Sequence, residues 1–187
     1  MDATLVAPQV ISEVIVETPK AVEQNRHIAF ICSKGTLDMA YPALVMGWAA
    51  LGNGIDVTIF FTFWGLDIIN KARIDHLELA PVANTSMKMS MMGVNTGNLG
   101  IPNALGVFPG MTAFATNLMK KKIAEVGAPP VREYLQMLVD GGAKLYACKM
   151  SVDMMGLGMA DFVDGVQAVV TAGDFMDMTD GAQIVFI

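Results

Sequence analysis

Five short apolar runs recur along this chain, and segments of helical spacing separate them. "HIAFICS" (residues 27–33), "DVTIFFTF" (56–63), "AKLYACK" (143–149), "VQAVVTA" (166–172) and "AQIVFI" (182–187) have strand length and are apolar throughout rather than alternating. An alternating strand keeps one face in water. A strand apolar on both faces needs cover on both, as in a parallel sheet laid between helices. Crossovers between parallel strands are right-handed, so the expected fold is α/β: an open parallel sheet of about five strands with helices on both faces. In such sheets the working surface lies outside the carboxyl ends of the strands.

The intervening segments fit that plan. Thr36 can cap a helix through residues 37–51, with Asp38 in its first turn, Pro42 near its start and Gly52 and Gly54 at its end. Residues 64–74 read as a short helix, and residues 111–127 and 130–142 as longer ones. Pro130 suits a helix start, and Gly141 and Gly142 suit an end. Residues 151–157 form a short helix that Ser151 would cap, residues 160–165 a turn, and residues 173–181 another short helix. Two stretches stand apart. Residues 1–25, with "VISEVIVETP", read as an N-terminal arm or tail, so the α/β domain is assigned to residues 26–187. Residues 81–110 are rich in Met, Asn and Gly without a sustained period, which is unusual inside a compact domain and often functional.

Composition removes several classes of function. A length of 187 residues suggests one domain. A formal net charge of -6 argues against a general nucleic-acid surface, and the run Lys120, Lys121, Lys122 reads as a solvated helix face. Two cysteines make no disulfide framework and fit a reducing cytoplasm. The N-terminus lacks a basic start followed by an apolar core. The longest apolar run, residues 39–51, contains a proline and falls short of the roughly 20 residues a bilayer requires. A soluble protein is therefore expected. At 53% hydrophobic residues, one short domain carries more apolar surface than a small core readily buries, so a homo-oligomer is expected too.

The chemistry narrows to two cysteines. Cys148 ends a strand and precedes a helix start, with Lys149, Ser151 and Asp153 close behind. Helix amides, the dipole and the lysine charge would all favour a thiolate there. The local alternative is a small buried hydrophobe, with Ser151 as a helix cap and Asp153 as a first-turn acid. Cys32 occupies the same kind of place on the first strand, near Lys34 and Thr36, and can equally be the last residue of a core strand. "CSKGT" offers a weak anion-binding turn. If the two strands are neighbours, the cysteines share one rim about 4.8 Å apart, and a redox pair becomes conceivable. "CSKGTLDM" and "CKMSVDMMG" echo one another weakly.

Other candidates carry less. His27 and His76 belong to no zinc-spaced cluster, no serine sits on a nucleophile elbow, and neither GxGxxG nor GxxxxGK[ST] occurs. "SMKMSMM" could attract a soft metal, but methionine clusters more often pack or make adaptable contact surfaces. No cofactor or metal is expected. Residues 87–110 are instead expected to lie over the carboxyl rim near Cys148 as a cover or docking surface, with packing of a subunit interface as the alternative.

Several blocks are similar to one known family. "ICSKGTLDMAYPALVMGWAALGNGIDVTIFFTFWGLDIINK", "GVFPGMTAFATNLMKKKI", "AKLYACKMSVDMMGL" and "GAQIVFI" resemble the DsrE/DsrF-like family, in particular its larger branch, often labelled peroxiredoxin-family or NAD(FAD)-dependent dehydrogenase-like. The likeness runs from about residue 26 to the end. It implies a parallel α/β sheet, an oligomer and sulfur relay: a strand-end cysteine takes up sulfane sulfur as a persulfide and passes it to a TusA-like or rhodanese-like partner. The family's carrier cysteine falls on Cys148; Cys32 has no firm counterpart and reads as auxiliary. A peroxidatic cysteine arrangement, which the peroxiredoxin label would require, is not found in the sequence. Some larger-branch members carry membrane spans, and this sequence offers none.

Three functions then compete: a sulfur carrier or sulfurtransferase using Cys148, a thiol redox protein using Cys148 with Cys32, and a module that binds a small anion or a partner at the sheet rim.

Overall fold

A computed structural model describes residues 26–80 and 109–187. Five strands, β1 (His27–Cys32), β2 (Asp56–Phe61), β3 (Lys144–Cys148), β4 (Val166–Val170) and β5 (Gln183–Phe186), form one sheet in the order β4-β3-β2-β1-β5. Every pairing is parallel. The helices are α1 (Leu37–Gly52), α2 (Met111–Glu125), α3 (Val131–Asp140), α4 (Lys149–Met155) and α5 (Ala172–Met178). The expected architecture is the one observed.

Handedness decides where the helices go. From β1 through β2 and β3 to β4 the chain steps in one direction across the sheet, and from β4 to β5 it returns. Right-handed crossovers travelling one way lie on one face, and a return crossover lies on the other. Accordingly, Leu37, Ala40, Ala43 and Leu44 of α1, Val131, Leu135 and Leu138 of α3 and Val152 of α4 pack with Phe30, Cys32, Ile59, Phe61, Leu145 and Ala147 in the main core. On the opposite face α5 places Phe175 with Ala29, Phe60 and Cys148. The Phe175 ring stacks on Phe60, with centroids 4.5 Å apart and planes at 17°. Helices thus cover both faces, but among the described residues unevenly.

The core face is well anchored. Gly47 of α1 lets the helix pack closely, since an added Cβ would lie 3.2 Å from Leu138 Cδ2. Tyr41 meets Tyr134 edge-on at 6.3 Å, and its hydroxyl donates to the Pro129 carbonyl at 2.9 Å. α1 runs through Pro42 without breaking, because a proline so near the helix start costs few internal hydrogen bonds. Thr36 holds the N-cap position, yet its side chain makes no capping bond; its carbonyl accepts from the Met39 and Ala40 amides. At α5, by contrast, Thr171 Oγ1 accepts from the Asp174 amide and Asp174 accepts from the Thr171 amide, a reciprocal cap.

Residues 64–74 depart from the helical expectation. Two 3-10 turns, Phe63–Ile68 and Ile74–His76, replace a continuous helix. Gly65 is pressed against the Cys32 carbonyl, and Asn70 Oδ1 accepts from the Ala72 amide, forming a side-chain turn that interrupts helical winding. Among the described residues no helix is long and apolar enough to cross a membrane. Residues 1–25, read as an arm, and residues 81–108, read as most of the irregular cover, lie outside the described residues.

Candidate functional site

Cys148 is the last residue of β3 and the N-cap of α4. Its neighbour across the sheet follows from register. Phe61 pairs with Ala147, so the next positions, Thr62 and Cys148, lie side by side at the carboxyl rim. Ser151 sits in the first turn of α4, completely buried. Thr62 Oγ1 and Ser151 Oγ are 3.1 Å apart, and the Phe63 amide donates to Ser151 Oγ at 2.8 Å. Ser151 therefore does not cap the helix, as its position had suggested. The helix begins earlier, and the hydroxyl ties the loop after β2 to the sulfur site.

Electrostatics at the sulfur are a contest between burial and hydrogen bonding. Burial, the largest influence, pushes the Cys148 thiol up. Hydrogen bonds from the Ser151 amide, the hydroxyls of Thr62 and Ser151, and the Met150 amide together outweigh it, so its pKa lies below the ordinary 9.0. Lys149 takes a different part from the one its position suggested: its Nζ meets both carboxylate oxygens of Asp153, at 2.9 and 2.8 Å, in an exposed pair one helical turn apart. Exposed apolar side chains stand on the two segments that adjoin the site, Phe63 and Trp64 after β2 and Met150 and Met154 on α4. Phe63 adopts φ 47, a left-handed conformation that a phenylalanine rarely takes. The bond from its amide to Ser151 helps hold it there.

Cys32 lies elsewhere. β2 separates β1 from β3, so the strands that carry the two cysteines are about 9.6 Å apart, two strand spacings and beyond disulfide reach. Cys32 also faces the main core, whereas Cys148 faces the α5 side. The condition on which a redox pair depended, adjacent strands, is not met. Burial pushes the Cys32 pKa up to about 12, which keeps it a thiol at neutral pH. Lys34 and Thr36 line a cavity of about 280 Å³ with Gly35, Trp64, Asp67 and Arg73, and Cys148 is not part of that lining. Among the described residues no group of three or more His, Cys, Asp or Glu could hold a metal ion.

Thr62 and the loop glycines escaped the sequence reading. Thr62 and Ser151 are 89 positions apart in the chain, and only the β2–β3 pairing brings them together. A threonine one position past an apolar strand was the available signal. Alkylation of native Cys148 by iodoacetamide is expected to rise about tenfold per pH unit and level off at a midpoint below 9.0, because the thiolate is the reacting form and is lost as pH falls through that midpoint. Cys32 should stay unlabelled until the protein is unfolded. A native midpoint at or above 9.0 for Cys148 would contradict the hydrogen-bond argument.

This strand-end thiol sits on a fold with known counterparts. A protein of unknown function from Methanobacterium thermoautotrophicum matches it with a TM-score of 0.50 at 8% identity, covering 87% of this chain and 99% of that one. The ychN protein of E. coli matches equally, at 0.50 and 11% identity, again covering 87% and 99%. In sequence, the chain is 34% identical over 152 residues to the sulfur carrier protein DsrE2 of Allochromatium vinosum, covering 81% of this chain and 92% of that one. It is also 27% identical over 165 residues to the uncharacterized protein YrkE of Bacillus subtilis, covering 88% and 99%. With the DsrE/DsrF/DrsH-like family model matching residues 24–187, the chain belongs to that family.

Proposed function

We propose that this protein serves in sulfur relay, holding sulfane sulfur as a persulfide on Cys148 and passing it to a TusA-like or rhodanese-like partner. The observation that carries the reading is the sulfur itself: a strand-end thiol whose pKa is held below 9.0 by two hydroxyls and two amides despite its burial. The name of the Allochromatium vinosum relative, a sulfur carrier, supports the same role. Thiolate attack on a sulfane sulfur is ordinary exchange chemistry, and it needs the ionised form that this site favours. The exposed Phe63, Trp64, Met150 and Met154, on the segments that adjoin Cys148 in the chain and across the sheet, offer a partner apolar contacts. The proposed setting is a reducing compartment, the cytoplasm, where the thiol persists. Cys32 stays auxiliary in this reading, a core thiol with no part in carrying sulfur.

Intact-protein mass after incubation with polysulfide or thiosulfate tests the proposal. A gain of one sulfur atom, reversed by reductant, supports it. Loss of two protons under mild oxidant, with no sulfur gained, would favour a redox protein. No change under either treatment would favour a binding module.

The proposal includes self-association. Phe186 is 70% and Ile184 41% exposed on β5, an edge strand, and an apolar edge of this kind gains from being covered. Light scattering should give a mass above that of one chain, and a clean monomer at micromolar concentration would exclude the assembly.

A further inference from the structure

Two hydroxyl protons meet at the sulfur site, and the number of places for them is limited. Thr62 and Ser151 each have a single O–H to donate. Their oxygens are 3.1 Å apart, close enough for one proton to bridge them. The Phe63 amide already fills one acceptor position on Ser151 Oγ. Thr62 is nearly buried and Ser151 wholly so, so water does not compete for either hydroxyl. In the thiol, one proton can bridge the two oxygens. Both hydroxyls also reach Cys148 Sγ, and an anionic sulfur accepts from each of them. Removing either hydroxyl therefore takes one donor from the anion.

We propose that the Thr62–Ser151 hydroxyl pair promotes the departure of sulfur rather than its arrival, by stabilising the Cys148 thiolate expelled when an acceptor takes the outer sulfur. The proposal rests on the carrier reading above. In discharge, an acceptor thiolate attacks the outer sulfur of the Cys148 persulfide. A new S–S bond forms on the acceptor, the bond between Cys148 Sγ and the outer sulfur breaks, and its electron pair stays on Sγ. The acceptor becomes the persulfide and Cys148 becomes the thiolate, with no net oxidation. Charge builds on Sγ along this path, and a donor hydrogen bond becomes stronger as it does. Loading runs the other way. The thiolate starts with the hydrogen bond in place and gives up charge as it attacks, so the same bond restrains it. A thiol of lower pKa is a better leaving group and, once fully ionised, a weaker nucleophile. Thr62 and Ser151 are thus positioning residues with opposite effects on the two halves of the cycle.

The test compares wild type with Ser151→Ala, Thr62→Val and Thr62→Ser. Each protein is loaded with polysulfide, desalted and mixed with 2-mercaptoethanol, and loss of one sulfur mass is followed in quenched samples. Native alkylation midpoints of Cys148 are measured in parallel on the unloaded proteins. Ser151→Ala is expected to discharge about tenfold more slowly, the size of effect that a hydrogen bond to a charged acceptor supports. Its alkylation midpoint should rise. Its loading, at a pH above its own midpoint, should match or exceed wild type. Thr62→Val should shift the same way, and Thr62→Ser, which keeps the hydroxyl, should behave as wild type. Equal discharge rates and unchanged midpoints in Ser151→Ala and Thr62→Val would overturn the inference while leaving the carrier reading intact. A wild type that takes up no sulfur would overturn both. Should Ser151→Ala fail to fold by circular dichroism, Thr62→Val decides alone on the same two readouts.

Discussion

Replacing Cys148 by serine is expected to abolish sulfur loading while leaving the fold intact. A serine hydroxyl stays protonated at neutral pH and forms no persulfide, so the loss should be complete rather than graded. The fold should survive because the replacement is nearly isosteric and the new hydroxyl falls among groups that already hydrogen-bond the sulfur, the Thr62 and Ser151 hydroxyls and the Ser151 and Met150 amides. The contrast is Cys32→Ala. Cys32 is 1% exposed, so removing its sulfur leaves a small cavity in the main core and costs about 1 kcal/mol or somewhat more. Loading should nonetheless stay near wild type, since Cys32 is two strands away from Cys148 and faces the other side of the sheet. Intact mass and a denaturant melt on both variants separate these effects. Sulfur bound at the wild-type level by Cys148→Ser, or mapping wholly to Cys32 in the wild type, would reverse the assignment.

The second large effect is structural. Gly65→Ala should destabilise the protein by at least about 4 kcal/mol, beyond the usual range for a single substitution. A Cβ at Gly65 would lie 2.0 Å from the Cys32 carbonyl oxygen and 2.7 Å from its carbon, and both atoms are backbone. They cannot swing aside as a flexible side chain would, because the same carbonyl accepts from the Thr62 amide at 2.9 Å. Gly35 meets the opposite loop in the same manner, 2.2 Å from the Trp64 carbonyl oxygen. Each of the two loops thus carries a glycine that admits the other's backbone, and Gly35→Ala should be similarly damaging. Gly52 is the control. Its Cβ would meet nothing within 4 Å, and as the last residue of a helix it should accept alanine with little loss or a slight gain. Urea midpoints that rank Gly65→Ala with Gly52→Ala would refute the close-approach argument.

These residues also mark what could be read in advance. The strands were legible because each is apolar on both faces, a pattern that short helices do not sustain, and they fall within a residue or two of the runs that announced them. Cys148 was legible as a strand-end thiol because the apolar run and the helix start are both local in sequence. Its pKa was not, since the hydroxyl of Thr62 arrives through strand order and register, which no local pattern records. Lys149 illustrates the opposite failure. Adjacency in sequence suggested a charge beside the sulfur, but one helical turn brings Asp153 within reach of its ammonium group, and the two pair. The helix assigned to residues 64–74 went astray because apolar spacing outweighed Gly65, whose backbone meets the distant Cys32 carbonyl, and Asn70, whose side chain closes a local turn on the Ala72 amide.

The uneven clothing of the sheet bears on how the sulfur is reached at all. Cys148 is only 5% exposed, and its own face is covered, among the described residues, by a seven-residue helix that sinks one aromatic ring, Phe175, into the layer. An element held so lightly separates from the rest at a fraction of the free energy of global unfolding, and the amides of α5 should exchange with deuterium well before those of β1, β2 and β3. Access to the thiol then becomes a matter of breathing. The reagent waits on a local fluctuation of the thinner flank, while the thicker one, with α1 and α3 locked into it, keeps the strands in register throughout.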